Sequence, residues 1–179
     1  MRHLIEAGRI AVGPWYVLPD LQCNGQESIL RNLSRGLALA QRFGGGTPVG
    51  YLPDIFSHPA QMPQIFAGYD FRAAVIWRGS SDDPEPPYEV LWRAPDGTQI
   101  LTLRLPDDRG YLNAFPLADT PEAVSRQFED WFRERLPRAQ SGQLLFMNGC
   151  DHQTPNYALP EFIRYFNETH DDYELRQVS

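Results

Sequence analysis

The chain has 179 residues, of which 42% are hydrophobic and 22% charged, a composition typical of a globular protein and unlike that of a disordered one. Acidic residues outnumber basic ones by 23 to 16, and the net charge of -7 includes no basic cluster that could bind phosphates, which argues against nucleic acid as a partner. No stretch approaches the ~20 apolar residues of a membrane span. Cys23 and Cys150 lack disulfide or metal spacing and indicate free thiols, so we expect a cytoplasmic protein.

The first half of the chain alternates extended segments with helices. Residues 9–18 are apolar and partly alternating, which predicts a strand or extended segment. A helix follows, in which Asn24 is the expected cap, Glu27 completes a capping box and the glycines at 44–46 end the helix. The pattern then predicts a strand over 48–52, a weaker helix over 60–66 and a buried strand over 73–77.

The second half begins with a hairpin pattern. Residues 88–92 and 99–104 flank a Pro-Asp-Gly turn at 95–97, which predicts a β-hairpin. Thr120 followed by Pro121 predicts the start of a helix with an apolar stripe that ends at Pro137. The remaining predicted elements are a short strand over 144–147, a helix over 159–166 and a strand-like tail over 173–178.

Strands separated by helices favour parallel pairing through crossover connections, and hence an α/β sheet or barrel with an inserted hairpin. In such folds ligands bind beyond the carboxyl ends of the strands. Asp54, Arg78 and Asp151 each follow a predicted strand, so parallel neighbours would direct all three side chains into one mouth. Two carboxylates and a guanidinium suit glycoside cleavage. The alternative reading is that each Asp only caps the next helix.

Five motifs, in their order and spacing, resemble those of bacterial α-mannosidases of glycoside hydrolase family 38. They are GPWYVLPD (13–20), ESILRNL (27–33), PDIFSHPAQMPQIF (53–66), WRG (77–79) and NGCDH (148–152). The resemblance spans nearly the whole chain. It implies that residues 1–179 form one unit, an incomplete (β/α)7-type barrel with a β-hairpin insertion, from the interior of the catalytic domain with the first and last βα units missing.

The resemblance also implies a zinc-dependent, retaining α-mannosidase that acts on a mannoside or oligosaccharide by double displacement. Asp54 falls on the nucleophile, which in this family is also a Zn²⁺ ligand, and Asp151 falls on the general acid/base. Arg78 falls on an arginine that would hold Asp54 ionised and oriented. The remaining candidates for substrate contact are Trp15, which is equally suited to packing, Asp20 and His152.

The chain departs from the family pattern at the metal site. It contains neither the His-x-Asp motif that supplies two zinc ligands nor the later histidine, so the remaining Zn²⁺ ligands are expected outside this chain. His58 falls on the family's FGH histidine, for which a supporting or structural role is expected. One carboxylate cannot replace four ligands, and the isolated chain is therefore expected to be inactive.

Two other functions remain open at this point. A metal-dependent carbohydrate deacetylase on a related barrel would need a His-x-x-x-His pair downstream of Asp-Asp, and the sequence has none. A non-catalytic carbohydrate-binding domain would use tryptophans as stacking platforms, but Trp77 and Trp131 lie where core packing is expected. Linkage and aglycone of the mannoside are left open, as is a homo-oligomer.

Overall fold

The computed structural model describes residues 2–80 and 85–178, which fall into two compact units. The first extends to Gly110 and the second is Tyr111–Val178. The helices are α1 (Arg2–Glu6), α2 (Gln26–Gln41), α3 (Met62–Gly68), α4 (Pro121–Arg135) and α5 (Leu159–Thr169), with 3-10 turns at Gly110–Leu112 and Leu136–Arg138. The strands are β1 (Val49–Leu52), β2 (Ala73–Ile76), β3 (Glu89–Arg93) and β4 (Gln99–Arg104).

The first unit contains an open four-stranded sheet in the order β1-β2-β4-β3. β1 pairs with β2, and β2 with β4, in parallel, whereas β3 and β4 form the predicted antiparallel hairpin. In its turn Asp96 accepts hydrogen bonds from the backbone N–H and the hydroxyl of Thr98, both at 2.9 Å. The mixed α/β class and the hairpin are thus confirmed, and closure into a (β/α)7 barrel stays a prediction.

One face of the sheet carries the core of the first unit. Every second residue of β1 and β2 is buried, as the period of a β-strand requires, and these side chains join buried residues of α2 and α3 in one cluster. At its centre Phe66 of α3 is fully buried, with its ring centroid 6.1 Å from that of Trp15 and 5.7 Å from that of Phe71. Gly50 of β1 makes room for this ring, because a Cβ there would lie 2.5 Å from it. The core therefore fixes α3 against β1.

The start of α2 differs from the expectation. Gly25 is the N-cap residue and makes no side-chain capping bond, so the predicted capping box of Asn24 and Glu27 is wrong. The Asn24 amide instead donates to the carbonyl oxygen of Asp20 at 2.6 Å, and Glu27 pairs with Arg31 one turn later at 2.8 Å. Both side chains therefore make other hydrogen bonds with nearby residues and do not cap the helix.

The second unit is organised by α4 and α5. The predicted cap of α4 is confirmed, since Thr120 Oγ1 accepts from the Ala123 N–H at 3.3 Å and Pro121 begins the helix. The core between the helices is aromatic, with Phe128 and Phe132 of α4 packed against Phe166 of α5 at centroid distances of 6.0 and 5.8 Å. Within residues 2–80 and 85–178, no helix combines the length and the apolar character needed to cross a membrane.

No strand forms in three segments where the sequence allowed one, namely 9–18 (a strand or extended segment), 144–147 (a short strand) and 173–178 (a strand-like tail). In each, an asparagine side chain bonds the backbone in place of a neighbouring strand. Asn32 binds Tyr16 and Val17, Asn113 Oδ1 accepts from Met147 N–H at 3.2 Å, and the Asn167 amide bonds both the N–H and the C=O of Leu175 at 2.8 Å. Apolar alternation alone therefore does not identify the group that bonds the backbone of such a segment.

The position of Phe66 generates a prediction. Phe66→Ala should lower the free energy of unfolding by about 3–5 kcal/mol, because truncating a fully buried aromatic ring leaves a cavity. Phe43→Ala is the control, since Phe43 is 39% exposed, and it should cost less than about 1 kcal/mol. Urea unfolding curves measure both values, and equal losses would contradict this description of the core.

Candidate active site

Asp54 and Arg78 lie at the carboxyl ends of two adjacent strands. β1 ends at Leu52 and β2 at Ile76, and these two residues are register partners in the parallel pair. The residues two positions further on therefore meet at one edge of the sheet, where Arg78 Nε donates to Asp54 Oδ1 at 2.6 Å. Their side chains are 38% and 39% exposed, so the pair is both ordered and accessible. The prediction that these two residues meet is confirmed.

Two aromatic rings restrict the Arg78 guanidinium. Its central carbon lies 3.8 Å from the ring centroid of Trp77 and 4.9 Å from that of Phe56. Trp77 is buried and donates from Nε1 to the carbonyl oxygen of Asp107 at 3.2 Å, so it forms a fixed platform. Phe56 is 65% exposed. Stacking of this kind holds the planar guanidinium in one orientation, which a lysine could not reproduce.

The backbones that carry Asp54 and Arg78 touch. Gly79 has φ +63° and faces the carbonyl of Phe56, whose oxygen would lie only 2.1 Å from a Cβ at position 79. Both the left-handed conformation and the close approach require glycine. The distance between the two strand-end loops is therefore set by backbone contact as well as by the ion pair.

His58 makes a further link between the same loops. Its Nε2 lies 3.0 Å from the carbonyl oxygen of Arg78. Its ring meets the edge of Trp92 on β3, with centroids 5.6 Å apart. The buried Nδ1 atom has no hydrogen-bond partner among the described residues. Burial lowers the pKa of His58 and so favours the neutral ring, and the hydrogen bond to the Arg78 carbonyl opposes this shift in part.

The segment with Trp15 and Asp20 lies against the same sheet. Trp15 Nε1 donates to the carbonyl oxygen of Tyr51 in β1 at 2.8 Å, and its ring packs edge-on against Phe66. The indole N–H of Trp15 is thus engaged in a hydrogen bond, and one side of its ring is engaged in core packing. Asp20 is exposed, and its carbonyl oxygen accepts from Asn24. Contact of either side chain with a substrate stays a prediction.

Helix α2 holds this segment through two residues. Asn32 Oδ1 accepts from the backbone N–H groups of Tyr16 at 2.9 Å and Val17 at 3.2 Å, and its amide donates to the Val17 carbonyl at 2.7 Å. One turn later, Gly36 lies against the backbone of Pro14, whose oxygen would be 2.1 Å from a Cβ. We call residues 14–20 the α2-bound loop. The Asn32 side chain and the close approach of Gly36 both act on the main chain of this loop and fix its path.

Asp151 belongs to the second unit, where it lies exposed in a turn. The Tyr111 hydroxyl donates to its Oδ2 atom at 3.1 Å. Sequence reasoning missed Tyr111, which is 40 residues away in the chain and in no recognised motif. His152 is exposed and has φ +60°. The predicted meeting of Asp151 with Asp54 stays a prediction.

The described residues do not by themselves form a zinc site. Within residues 2–80 and 85–178, no group of three or more His, Cys, Asp or Glu side chains could hold a metal ion. Protein-bound Zn²⁺ takes four ligands, or three and a water. Asp54 offers one carboxylate, of which Oδ1 already accepts from Arg78. Asp54 therefore supplies at most one of the ligands that such a site needs.

Comparison with known proteins agrees with this architecture. The model of the glycosyl hydrolases family 38 N-terminal domain matches residues 1–178. The chain is 37% identical over 176 residues to a protein of Halalkalibacterium halodurans named "Putative mannosylglycerate hydrolase", covering 92% of this chain and 19% of that relative.

Two solved structures from Enterococcus faecalis are similar along 97% of this chain. One is an alpha-mannosidase, with a TM-score of 0.84, 29% identity and 20% of its own length covered. The other is a protein of glycosyl hydrolase family 38, with a TM-score of 0.71, 26% identity and 18% of its length covered. The α/β fold is thus that of a glycosidase family. The chain belongs to glycosyl hydrolase family 38, and it spans about a fifth of the length of these relatives.

The contact between Gly79 and Phe56 can be tested against a matched glycine. Gly79→Ala introduces both a strained φ and a clash with a backbone oxygen, whereas Gly8→Ala introduces only the strain, because Gly8 has φ +67° and open space around it. We expect Gly8→Ala to cost about 1 kcal/mol and Gly79→Ala about 1–3 kcal/mol more. Urea unfolding measures the difference, and equal losses would show that the loops do not touch.

Proposed function

We propose that the protein to which this chain belongs is an α-mannosidase that hydrolyses its substrate with retention of configuration. The observation that carries the proposal is the Arg78–Asp54 pair, in which a guanidinium binds an accessible carboxylate at 2.6 Å beyond parallel strands. Membership of family 38 and likeness to an alpha-mannosidase support it. A charge held in this way suits a nucleophile, since attack on a sugar carbon requires an ionised, oriented carboxylate.

In this proposal Asp54 attacks the anomeric carbon. Arg78 Nε donates to Oδ1 and thereby orients the carboxyl group so that Oδ2 can approach the sugar. A bond forms between Oδ2 and the anomeric carbon while the bond to the leaving oxygen breaks, giving a covalent glycosyl-enzyme. Water then displaces Asp54 from the same carbon, and two inversions together give retention.

Asp151 has the second task. Its carboxyl group donates a proton to the departing oxygen and later takes one from the attacking water, so that its charge is restored after each turnover. The Tyr111 hydroxyl bonds Oδ2, which leaves Oδ1 for proton transfer and fixes the plane of the carboxyl group. Tyr111 is thus a positioning residue in this proposal.

Zinc is proposed as a cofactor of the longer protein only. The support is the resemblance of the PDIFSH segment, in which Asp54 falls on a zinc ligand of the family. The other ligands are not assembled by the described residues, and none of the steps given for Asp54, Asp151 or Tyr111 depends on the metal.

The substrate class is an α-mannoside. The name of the Halalkalibacterium halodurans relative supports mannosylglycerate as one substrate to assay. The linkage and the aglycone are chosen by contacts that the described residues do not identify, so aryl α-mannosides, mannosylglycerate and α-linked mannose disaccharides should be compared side by side.

Two substitutions in the longer protein separate the roles of the carboxylates. Asp54→Ala should lower kcat/KM by at least about a thousandfold for every α-mannoside, because the nucleophile is lost. Asp151→Ala should cost about 10²–10⁴-fold for an alkyl mannoside but much less for a dinitrophenyl mannoside, whose leaving group needs no proton.

Steady-state kinetics with both substrates measure these effects. Asp130→Ala is the control, because Asp130 is exposed and pairs with Arg133 within the same helix at 2.7 Å, and it should leave kcat/KM unchanged. Mannoside binding without hydrolysis by the unmodified protein would instead indicate a carbohydrate-binding domain and end the proposal.

Metal dependence gives a separate prediction. Titration of Zn²⁺ into the isolated 179-residue chain should show no tight stoichiometric binding, and the chain should not hydrolyse aryl α-mannosides, because one carboxylate is an incomplete ligand set. The longer protein should lose activity to a chelator and regain it with Zn²⁺. Stoichiometric tight binding by the isolated chain, or activity of the longer protein that survives complete zinc removal, would contradict this prediction.

A further inference from the structure

Two loops carry the candidate nucleophile and its arginine. We call residues 53–58 the β1 loop and residues 77–80 the β2 loop. They are joined by the ion pair of Asp54 with Arg78, by the backbone contact of Phe56 with Gly79, and by the hydrogen bond between His58 and the Arg78 carbonyl. Arg78 is therefore held at both ends, with its guanidinium and its main chain bound to the same partner loop.

The hydrogen bond between His58 and the Arg78 carbonyl determines which tautomer the neutral histidine ring adopts. A carbonyl oxygen can only accept, so the ring must donate through Nε2. The neutral ring then carries its one proton on Nε2 and leaves Nδ1 as an acceptor. Nδ1 is buried without a partner among the described residues, so a second proton there would have no acceptor. One tautomer of the neutral ring satisfies the observed geometry.

His58 buries one ring nitrogen, Nδ1, that has no hydrogen-bond partner among the described residues. The site is half-buried beside Trp92, and an apolar side chain of similar size would fill it without burying an unpaired nitrogen. The feature that an apolar residue cannot supply is the N–H directed at the Arg78 carbonyl. This hydrogen bond is therefore the property that distinguishes His58 from ordinary packing.

We infer that His58 is a positioning residue for the Asp54–Arg78 pair, with its Nε2–H bond holding the Arg78 main chain at the place from which the guanidinium meets the carboxylate. The inference rests on the proposed function in that it assigns this pair to catalysis. Since small displacements of a reacting group lower the rate steeply, the loss of one such bond should appear in kcat/KM.

The test compares two replacements of the ring in the longer protein. In His58→Gln a side-chain amide can still donate to the Arg78 carbonyl, whereas in His58→Leu no donor remains but the volume is similar. We expect His58→Leu to lower kcat/KM for an aryl α-mannoside by about tenfold to a hundredfold. His58→Gln should stay within a few-fold of the unmodified protein.

Thermal unfolding and a second histidine separate positioning from plain stability. The ring of His170 stacks on that of Phe166, with the two centroids 4.1 Å apart, and its Nε2 atom lies 2.7 Å from Oε1 of Glu129. His170→Leu should lower the melting temperature and leave kcat/KM unchanged. Equal activity of His58→Leu and the unmodified protein, or equal loss in His58→Leu and His58→Gln, would overturn the inference.

Crystal structures of the two His58 variants would measure the position of Arg78 directly. In His58→Leu the Arg78 Nε–Asp54 Oδ1 contact of 2.6 Å should be lengthened or lost, and in His58→Gln it should be retained. An unchanged contact in both would overturn the positioning role. If the unmodified protein hydrolyses no α-mannoside, the proposed function fails, while these distances still decide whether His58 positions Arg78.

Discussion

The parallel pairing of β1 with β2 is the constraint on which the candidate site depends. Parallel neighbours end at the same edge of a sheet, so residues at equal distance beyond each end become neighbours in space. Because Leu52 and Ile76 are register partners, Asp54 and Arg78, each two residues further on, lie close enough to form an ion pair. The pairing itself is secured by packing, since Gly50 lets the Phe66 ring approach β1 closely. A change in the core would therefore reach the charges at the sheet edge.

Much of this arrangement follows from the sequence because it rests on local rules. The short apolar runs of β1 and β2, the Pro-Asp-Gly hairpin turn and the Thr120 cap each have a signal within a few residues, and each was predicted. The pairing of Asp54 with Arg78 followed from them, given that crossover connections make strands parallel. The roles of these residues in catalysis came from the resemblance to family 38, because hydrophobic periodicity and residue spacing do not indicate them.

The predicted strands that do not form, and the missed Tyr111, depend on hydrogen bonds to residues outside the segment concerned. An alternating apolar segment reads as a strand, but whether a strand or a side chain bonds its backbone is decided elsewhere in the fold. Asn113 and Asn167 serve residues 34 and 8 positions away in the chain. The same is true of Tyr111, which reaches Asp151 across 40 positions. A single sequence carries no mark of such partners.

The α2-bound loop illustrates how a protein can separate shape from surface. Asn32 and Gly36 hold its main chain, and neither contact involves the side chains of Tyr16, Val17 or Leu18, which are 54%, 60% and 48% exposed. The side chains at these three positions can therefore be substituted without changing the path of the backbone that carries them. Variants with different side chains at 16–18 on an unchanged helix would therefore be a natural starting library for engineering recognition at this surface.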